Sequence, residues 1–322
     1  MNHEALKKFV AGGVENCRVL VVGDAMLDKY YFGEVTRISP EAPVPINRVN
    51  KIKETLGGAA NVAHNLALLG CQTSLIAQIG LDSHGETLSQ KLISRGIDIT
   101  GAVHTDKPTT TKIRVIGGNQ QMIRLDFEDT AAASAEEILA EVSARLENVD
   151  AVIISDYGKG VCTEEICAEI IRACRLKNKI VVVDPKGDDW QKYSGANFIT
   201  PNLKEFNAVL PRKISNVDAE VETAARGVIE KFALEGLVVT RSAEGLTLID
   251  GEKISHVRAR AQEVFDVSGA GDTVISVFAL GMAGNLKSEL AAYLANAAAG
   301  VVVAKVGTYA VSREELLKAL EA

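Results

Sequence analysis

Two glycines and a carboxylate near residue 270 carry the strongest chemical signal in the chain. Gly269-Ala270-Gly271-Asp272 stands directly ahead of a long apolar stretch that reads as a helix. A turn of that composition exposes backbone N–H groups together with the positive end of the helix dipole. That is a cradle for the charge of a transferring phosphoryl group. Asp272 sits at its edge, where a carboxylate can take a proton from an attacking hydroxyl; as an ordinary helix cap it would need no chemistry at all. A second pair, Gly57 and Gly58, opens a helix carrying Asn61. The glycines admit a ligand close to the backbone and Asn61 offers donor and acceptor, although tight helix–strand packing explains the same residues. Asp24 and Asp28 follow the first strand, at the end where open α/β sheets bind ligands, and two carboxylates there could clasp sugar hydroxyls; Asp28 simply exposed to water is the competing reading. Asn202-Leu203-Lys204-Glu205 follows another strand end; Glu205 could hold Mg²⁺ through water, and Asn202 could be a plain N-cap.

Other chemistries lose ground. The first strand–helix turn lacks GxGxxG, no GxxxxGK(S/T) occurs, and the GxSxG elbow, the protein-kinase motifs and HExxH are missing. The 322 residues carry 35 Lys+Arg against 42 Asp+Glu, a net charge of −7, which argues against nucleic acid as the main partner. Cys17, Cys71, Cys162, Cys167 and Cys174 form no CxxC pair and suit buried free thiols in a reducing cytosol. Without an N-terminal h-region or a run long enough to span a bilayer, the expectation is a cytoplasmic protein with no membrane partner.

These residues need a scaffold, and apolar runs alternating with amphipathic stretches supply one. Strands are expected at 18–22, 73–79, 151–155, 180–184, 197–200 and 237–240, and helices at 61–69, 85–95, 136–146, 164–175, 219–234, 271–282 and 287–305. Strands apolar throughout imply a mostly parallel sheet covered by helices on both faces. Segments 30–53 and 103–127 break the rhythm; the second reads as a hairpin turning at Gly117-Gly118-Asn119. They predict a small accessory sheet whose apolar residues Ile46, Val49, Ile113, Val115 and Ile123 need a cover, hence a homodimer formed through it.

Taken together, Gly57-Gly-Ala-Ala-Asn61-Val-Ala, Glu263-Val-Phe-Asp266-Val-Ser-Gly-Ala-Gly-Asp272-Thr and Asn202–Glu205 resemble the two signatures and the metal–phosphate motif of the ribokinase-like (PfkB) carbohydrate kinases, along essentially the whole chain. The resemblance implies an α/β ribokinase-like fold with a small β-sheet lid and one kinase domain over residues 1–322. It also implies ATP as co-substrate, Mg²⁺, and Asp272 as the base beside the amides of residues 269–272. Asn202, Leu203, Lys204, Glu205, Thr240, Gly245 and Asn296 would lie on the ATP side, and Asp24, Gly57, Gly58, Asn61 and Asp156 on the sugar side. A narrower resemblance rests on Arg37-Ile-Ser-Pro-Glu-Ala-Pro-Val-Pro45, Gly23–Asp28, Ser155-Asp-Tyr-Gly-Lys-Gly160 and Asp184-Pro-Lys-Gly187, which are similar to the kinase part of the heptose enzymes of lipopolysaccharide-core synthesis. It implies a sugar-phosphate partner, D-glycero-β-D-manno-heptose 7-phosphate, phosphorylated at its anomeric oxygen. Arg37, Lys112, Arg114, Lys159 and Lys186 are candidates for the distal phosphate, with Lys159 and Lys186 favoured. No HxGH nucleotidyltransferase motif is present, so the nucleotidyl step is expected of a separate protein. The rivals are a kinase of another sugar or sugar phosphate, such as a fructose phosphate, and a non-catalytic sensor of sugar or nucleotide.

Overall fold

The computed structural model describes residues 3–118, 120–259, 264–305 and 307–321, so Asn119 and Glu263 of the motifs above lie outside the described residues. In chain order the elements are α1 (His3–Lys8), β1 (Arg18–Gly23), β2 (Ala25–Ile38), β3 (Pro45–Gly58), α2 (Ala59–Leu69), β4 (Gln72–Ile76), β5 (Gln78–Gly80), α3 (Ser83–Ile93), β6 (Val103–Thr105), β7 (Thr111–Gly117) and β8 (Gln120–Phe127). They continue with α4 (Ala135–Arg145), β9 (Ala151–Ser155), α5 (Glu164–Leu176), β10 (Ile180–Asp184), β11 (Phe198–Ile199), α6 (Leu203–Val209), α7 (Asp218–Phe232), β12 (Gly236–Thr240), β13 (Leu246–Asp250), β14 (Lys253–Val257), α8 (Ala270–Ala283), α9 (Ser288–Val303) and α10 (Arg313–Ala319).

The main sheet has eight strands in the order β14-β13-β12-β11-β10-β9-β1-β4. It is parallel from β12 to β4 and antiparallel at the β13–β14 edge. Strand side chains alternate between two cores. Val19, Val21, Ala151 and Ile153 enter one with α2, α8 and α9, whereas Leu20, Val22, Val152 and Ile154 enter the other with α4, α5 and α7. Burial on both faces is why these strands read as unbroken apolar runs. No described helix is long and apolar enough to cross a membrane.

The accessory sheet exists as four strands ordered β3-β2-β7-β8. Its first segment begins earlier than the pattern suggested, at Ala25, because the buried Ala25, Met26 and Leu27 prolong the apolar run of β1. Residues 103–105 form β6, which pairs with β5 in a separate two-stranded sheet and not in the lid. The expected strand over 73–79 is accordingly divided at Ala77 into β4 and β5. In the lid, register pairs Asp28 with Lys112 and Tyr30 with Arg114 on one face. Ile113 with Leu125 and Val115 with Ile123 share the other.

Candidate active site

The sheet order reverses between β1, whose next strand β4 lies on one side, and β9 on the other. Such a switch point leaves a crevice at the carboxyl ends of the strands. Here α8 packs on β9 and β10, and its N-terminus closes the crevice. The resulting cleft of about 130 Å³ is lined by Gly269, Gly271 and Asp272 from the helix, Asp156, Tyr157, Asp184 and Lys186 from β9 and β10, and Asn202, Glu205 and Thr240 beyond them.

Gly269 is the N-cap of α8 at φ +81°, a left-handed conformation that a Cβ would strain, and an added Cβ would stand 3.2 Å from Asn61 Nδ2. The Ala270 N–H is spent on the Val267 carbonyl at 3.2 Å. Among the described residues no protein acceptor meets the N–H groups of Gly269, Gly271 or Asp272. Among the described residues the cradle therefore has three free amides where the motif offered four.

Asp272 is buried, with both carboxylate oxygens engaged. Asn61 Nδ2 donates to Oδ2 at 2.6 Å, and the Tyr157 hydroxyl makes a short hydrogen bond to Oδ1. Burial pushes the Asp272 carboxyl up to about 6; the donors Asn61 and Tyr157 pull it down, Asp28 raises it and Lys112 lowers it. A base that titrates near 6 is ionised at neutral pH yet still holds a proton with useful strength. Asn61 itself is positioned by the first turn of α2, where Asn65 Nδ2 donates to its carbonyl at 2.9 Å.

The sugar-side candidates separate into two groups. Gly57, Gly58 and Asn61 border the base, and Asp28 joins them, since a Cβ on Gly57 would lie 2.4 Å from Asp28 Oδ2. Gly58, at φ +56°, would place a Cβ 2.4 Å from the Asp24 carbonyl, so only glycine fits. Asp28 is ion-paired with Arg114 at 2.5 Å. Asp24 instead turns its carboxylate into the following loop: Oδ2 accepts the N–H of Tyr157 (2.8 Å) and Lys159 (2.9 Å), and Oδ1 that of Val161 (3.0 Å). Asp156 accepts from Gly158 N–H (2.7 Å), Tyr193 (2.6 Å) and Lys192 (2.5 Å). Asp24 and Asp156 thus spend carboxylate oxygens on the loop over residues 156–161, although Asp156 also lines the cleft, whereas Asp28, weighed in the sequence but not chosen, stands beside Gly57.

The cations are equally uneven. Lys159 is paired with Glu128 at 2.7 Å, and Arg37 is exposed on the distal lid. Lys186 lines the cleft beside Asn202, Glu205 and Thr240, on the side of the nucleotide candidates. Lys112 lies opposite Asp28 in the lid; burial and the neighbouring Lys159 and Arg124 hold its ammonium below the usual range, while Asp28 and Asp126 raise it.

On the nucleotide side, Asn202 and Glu205 form a capping box: Asn202 Oδ1 accepts the Glu205 N–H and Glu205 Oε2 the Asn202 N–H, both at 3.0 Å. The capping reading therefore holds alongside the ligand reading, for Oε1 is left over. Leu203 is half-buried and Lys204 exposed in the same turn. Thr240 bridges to Asn202, and buried Gly245 closes the turn after it. That turn is braced by the buried Arg241, which donates to Asn216 at 2.7 Å and Asp218 at 2.5 Å. Asn296 is buried, its amide donating to the Arg258 carbonyl at 2.9 Å, and does not line the cleft.

The residues also fit a divalent cation. Asp184 is pushed well above the usual carboxylate range by burial and then by Asp272 and Glu205. An oxygen-rich cleft with that much crowded negative charge suits a hard, hydrated ion such as Mg²⁺.

Solved structures share this fold. The ribokinase of Thermotoga maritima superposes with a TM-score of 0.75 at 22% identity, covering 95% of this chain and all of that one. Phosphofructokinase-2 from Escherichia coli, in complex with potassium, gives 0.79 at 21% identity over 95% and 98%. The bifunctional protein HldE of Shewanella amazonensis is 46% identical over 316 residues, 98% of this chain and 66% of the relative, and that of Hahella chejuensis 45% identical over 95% and 64%. The chain thus spans somewhat less than two thirds of the length of these relatives. The signature of the pfkB family carbohydrate kinases, phosphotransferases that use ATP, runs over residues 17–315, and with the cradle, the buried carboxylate and the lid in one crevice this chain belongs to that family.

Proposed function

We propose that this chain transfers the terminal phosphoryl group of ATP to the anomeric hydroxyl of D-glycero-β-D-manno-heptose 7-phosphate, forming the 1,7-bisphosphate as a step in ADP-heptose synthesis. The observation that carries the reading is Asp272, buried and ionisable near pH 6, beside three unspent amides at a helix N-terminus. The sugar preference is supported by similarity to the HldE proteins and by the motifs quoted from the sequence.

In this reading an Asp272 carboxylate oxygen accepts the proton of the anomeric hydroxyl as that oxygen attacks the γ-phosphorus. The bond to the β–γ bridging oxygen breaks, and ADP leaves with the electron pair. The Gly269, Gly271 and Asp272 amides meet the charge on the phosphoryl oxygens, so positioning and electrostatics supply most of the rate. Asp28, Gly57, Gly58 and Asn61 hold the sugar, and Lys112 is the best-placed lid cation for its distal phosphate. Lys186, Asn202, Glu205 and Thr240 serve the nucleotide. Glu205 would hold Mg²⁺ through water, and the bound ion would neutralise phosphate oxygens. Closure of the lid excludes water from the reaction, and dependence on ATP fits a cytoplasmic setting.

The outward lid face, with Ile52, Ile123 and Leu125 exposed, is proposed as the contact with a second copy of the chain. An ADP-release assay over a panel of sugars and sugar phosphates, with the new phosphate located by NMR, tests the activity. Turnover of a hexose phosphate but not the heptose 7-phosphate would overturn the substrate, and binding without ADP release would favour a sensor.

A further inference from the structure

The segment Ser155-Asp-Tyr-Gly-Lys-Gly160 contributes one side chain that the sequence reading did not use. Its backbone is pinned from below: Asp24 takes the N–H groups of Tyr157, Lys159 and Val161, and Asp156 that of Gly158. Asp156 is itself held by Tyr193 and Lys192. Four backbone donors bound to two buried carboxylates leave the Tyr157 phenol little freedom beyond its own two side-chain torsions. The ring packs beside Gly58, where a Cβ would stand in ordinary contact, 3.4 Å from Tyr157 Cδ2. The hydroxyl then ends on Asp272 Oδ1, opposite Asn61 on Oδ2.

We propose that Tyr157 is a positioning residue for the base: its phenol, aimed by the Asp24–Asp156 pedestal, clamps Asp272 in the orientation and ionised state that proton removal requires. The inference rests on the kinase reading and deepens it. Each carboxylate oxygen carries two lone-pair directions. Clamping one direction on each oxygen fixes the carboxylate plane and leaves a second direction for a substrate hydroxyl. A donor to the ionised form also opposes the burial that favours the neutral form. The other groups acting on Asp272 are Asp28 from the lid, which raises it, and Lys112, which lowers it. Across the cleft Asp184 and Glu205 surround the pair. Tyr157 is a dependable donor, because burial and then Asp272 keep its phenol well above its ordinary 10.0.

Tyr157→Phe keeps the ring and removes the hydroxyl. The rate with heptose 7-phosphate is measured from pH 5.5 to 9 for wild type and variant, with thermal melts to verify folding. The expected result at pH 7 is a kcat about tenfold lower, KM for both substrates changed less than about twofold, and an acid limb moved up by about one pH unit, so that about twofold of the loss, the part due to protonation, is recovered at pH 9 and the rest, due to lost orientation, persists. Asp24→Asn, which loosens the pedestal and spares the phenol, should move the same limb in the same direction by less. NMR titration of the Asp272 carboxyl carbon, assigned with Asp272→Asn, reads the shift in ligand-free protein without turnover. A folded Tyr157→Phe protein with an unmoved limb and unmoved carboxyl titration overturns the proposal, as does a faster variant. A wild type inactive on the heptose phosphate would defeat the proposed reaction, while the carboxyl titration would still decide the role of Tyr157.

Discussion

Replacing Asp272 by Asn should cut turnover by orders of magnitude and stabilise the protein at the same time. The substitution keeps the shape: Tyr157 still donates to the remaining oxygen, and Asn61 meets the new amide after flipping its own. What disappears is the buried charge. A carboxyl held at about 6 in place of its ordinary 3.8 is about 3 kcal/mol harder to ionise in the folded protein than in the unfolded chain. The sign follows from linkage. With the folded value raised, the associated stability is fully present below about pH 3.8 and is lost as pH rises through about 6. At pH 8 wild type has lost it, whereas the neutral Asn variant never depended on it. The variant should therefore melt higher at pH 8, by on the order of 5 °C for a chain of this size, and the advantage should fade towards pH 4. Its kcat should fall by about 10²- to 10⁴-fold, the usual contribution of a positioned base. Wild-type kcat/KM should fall off below about pH 6, where Asp272 is protonated. Coupled ADP-release kinetics and differential scanning calorimetry at pH 4.5, 6 and 8 read all three quantities. Equal rates would refute the base assignment; a melting difference that ignores pH would refute the burial account.

Alanine at the two cradle glycines should give opposite signatures. Gly271→Ala meets no protein atom within 4 Å, so its melting point should hold within about 2 °C while the new methyl, at the cleft wall, lowers kcat at least tenfold. Gly269→Ala must be built at φ +81° against Asn61 and Thr308 and should lose both activity and about 1–2 kcal/mol of stability by urea unfolding. Lys112→Ala should raise KM for the phosphorylated sugar at least fivefold and leave KM for ATP unchanged; the opposite pattern would move the distal-phosphate contact elsewhere.

Long-range information separates the legible from the illegible. The strands β1, β9, β10 and β12 could be read because burial on both faces writes itself as uninterrupted valine, leucine and isoleucine. The antiparallel strand β13 and the edge strand β14 left a weaker mark, for their short runs carry polar residues such as Asp250 and Lys253. Tyr157 left no local mark of its purpose: an aromatic beside a glycine is common, and its partner Asp272 lies 115 residues away.

Composition and motif spacing were enough to state that a phosphoryl cradle, a carboxylate and an α/β sheet belong together, since glycine turns, helix starts and apolar runs are properties of neighbouring residues. Which groups each carboxylate touches was decided only by folding. Asp24 and Asp28 sit four positions apart just beyond β1, yet the first binds the amides of a distant loop and the second pairs with Arg114 beside Gly57. The reason is that a hydrogen-bond partner is chosen by position in space, and the amides that claim Asp24 arrive from the loop after β9, more than a hundred residues further along the chain.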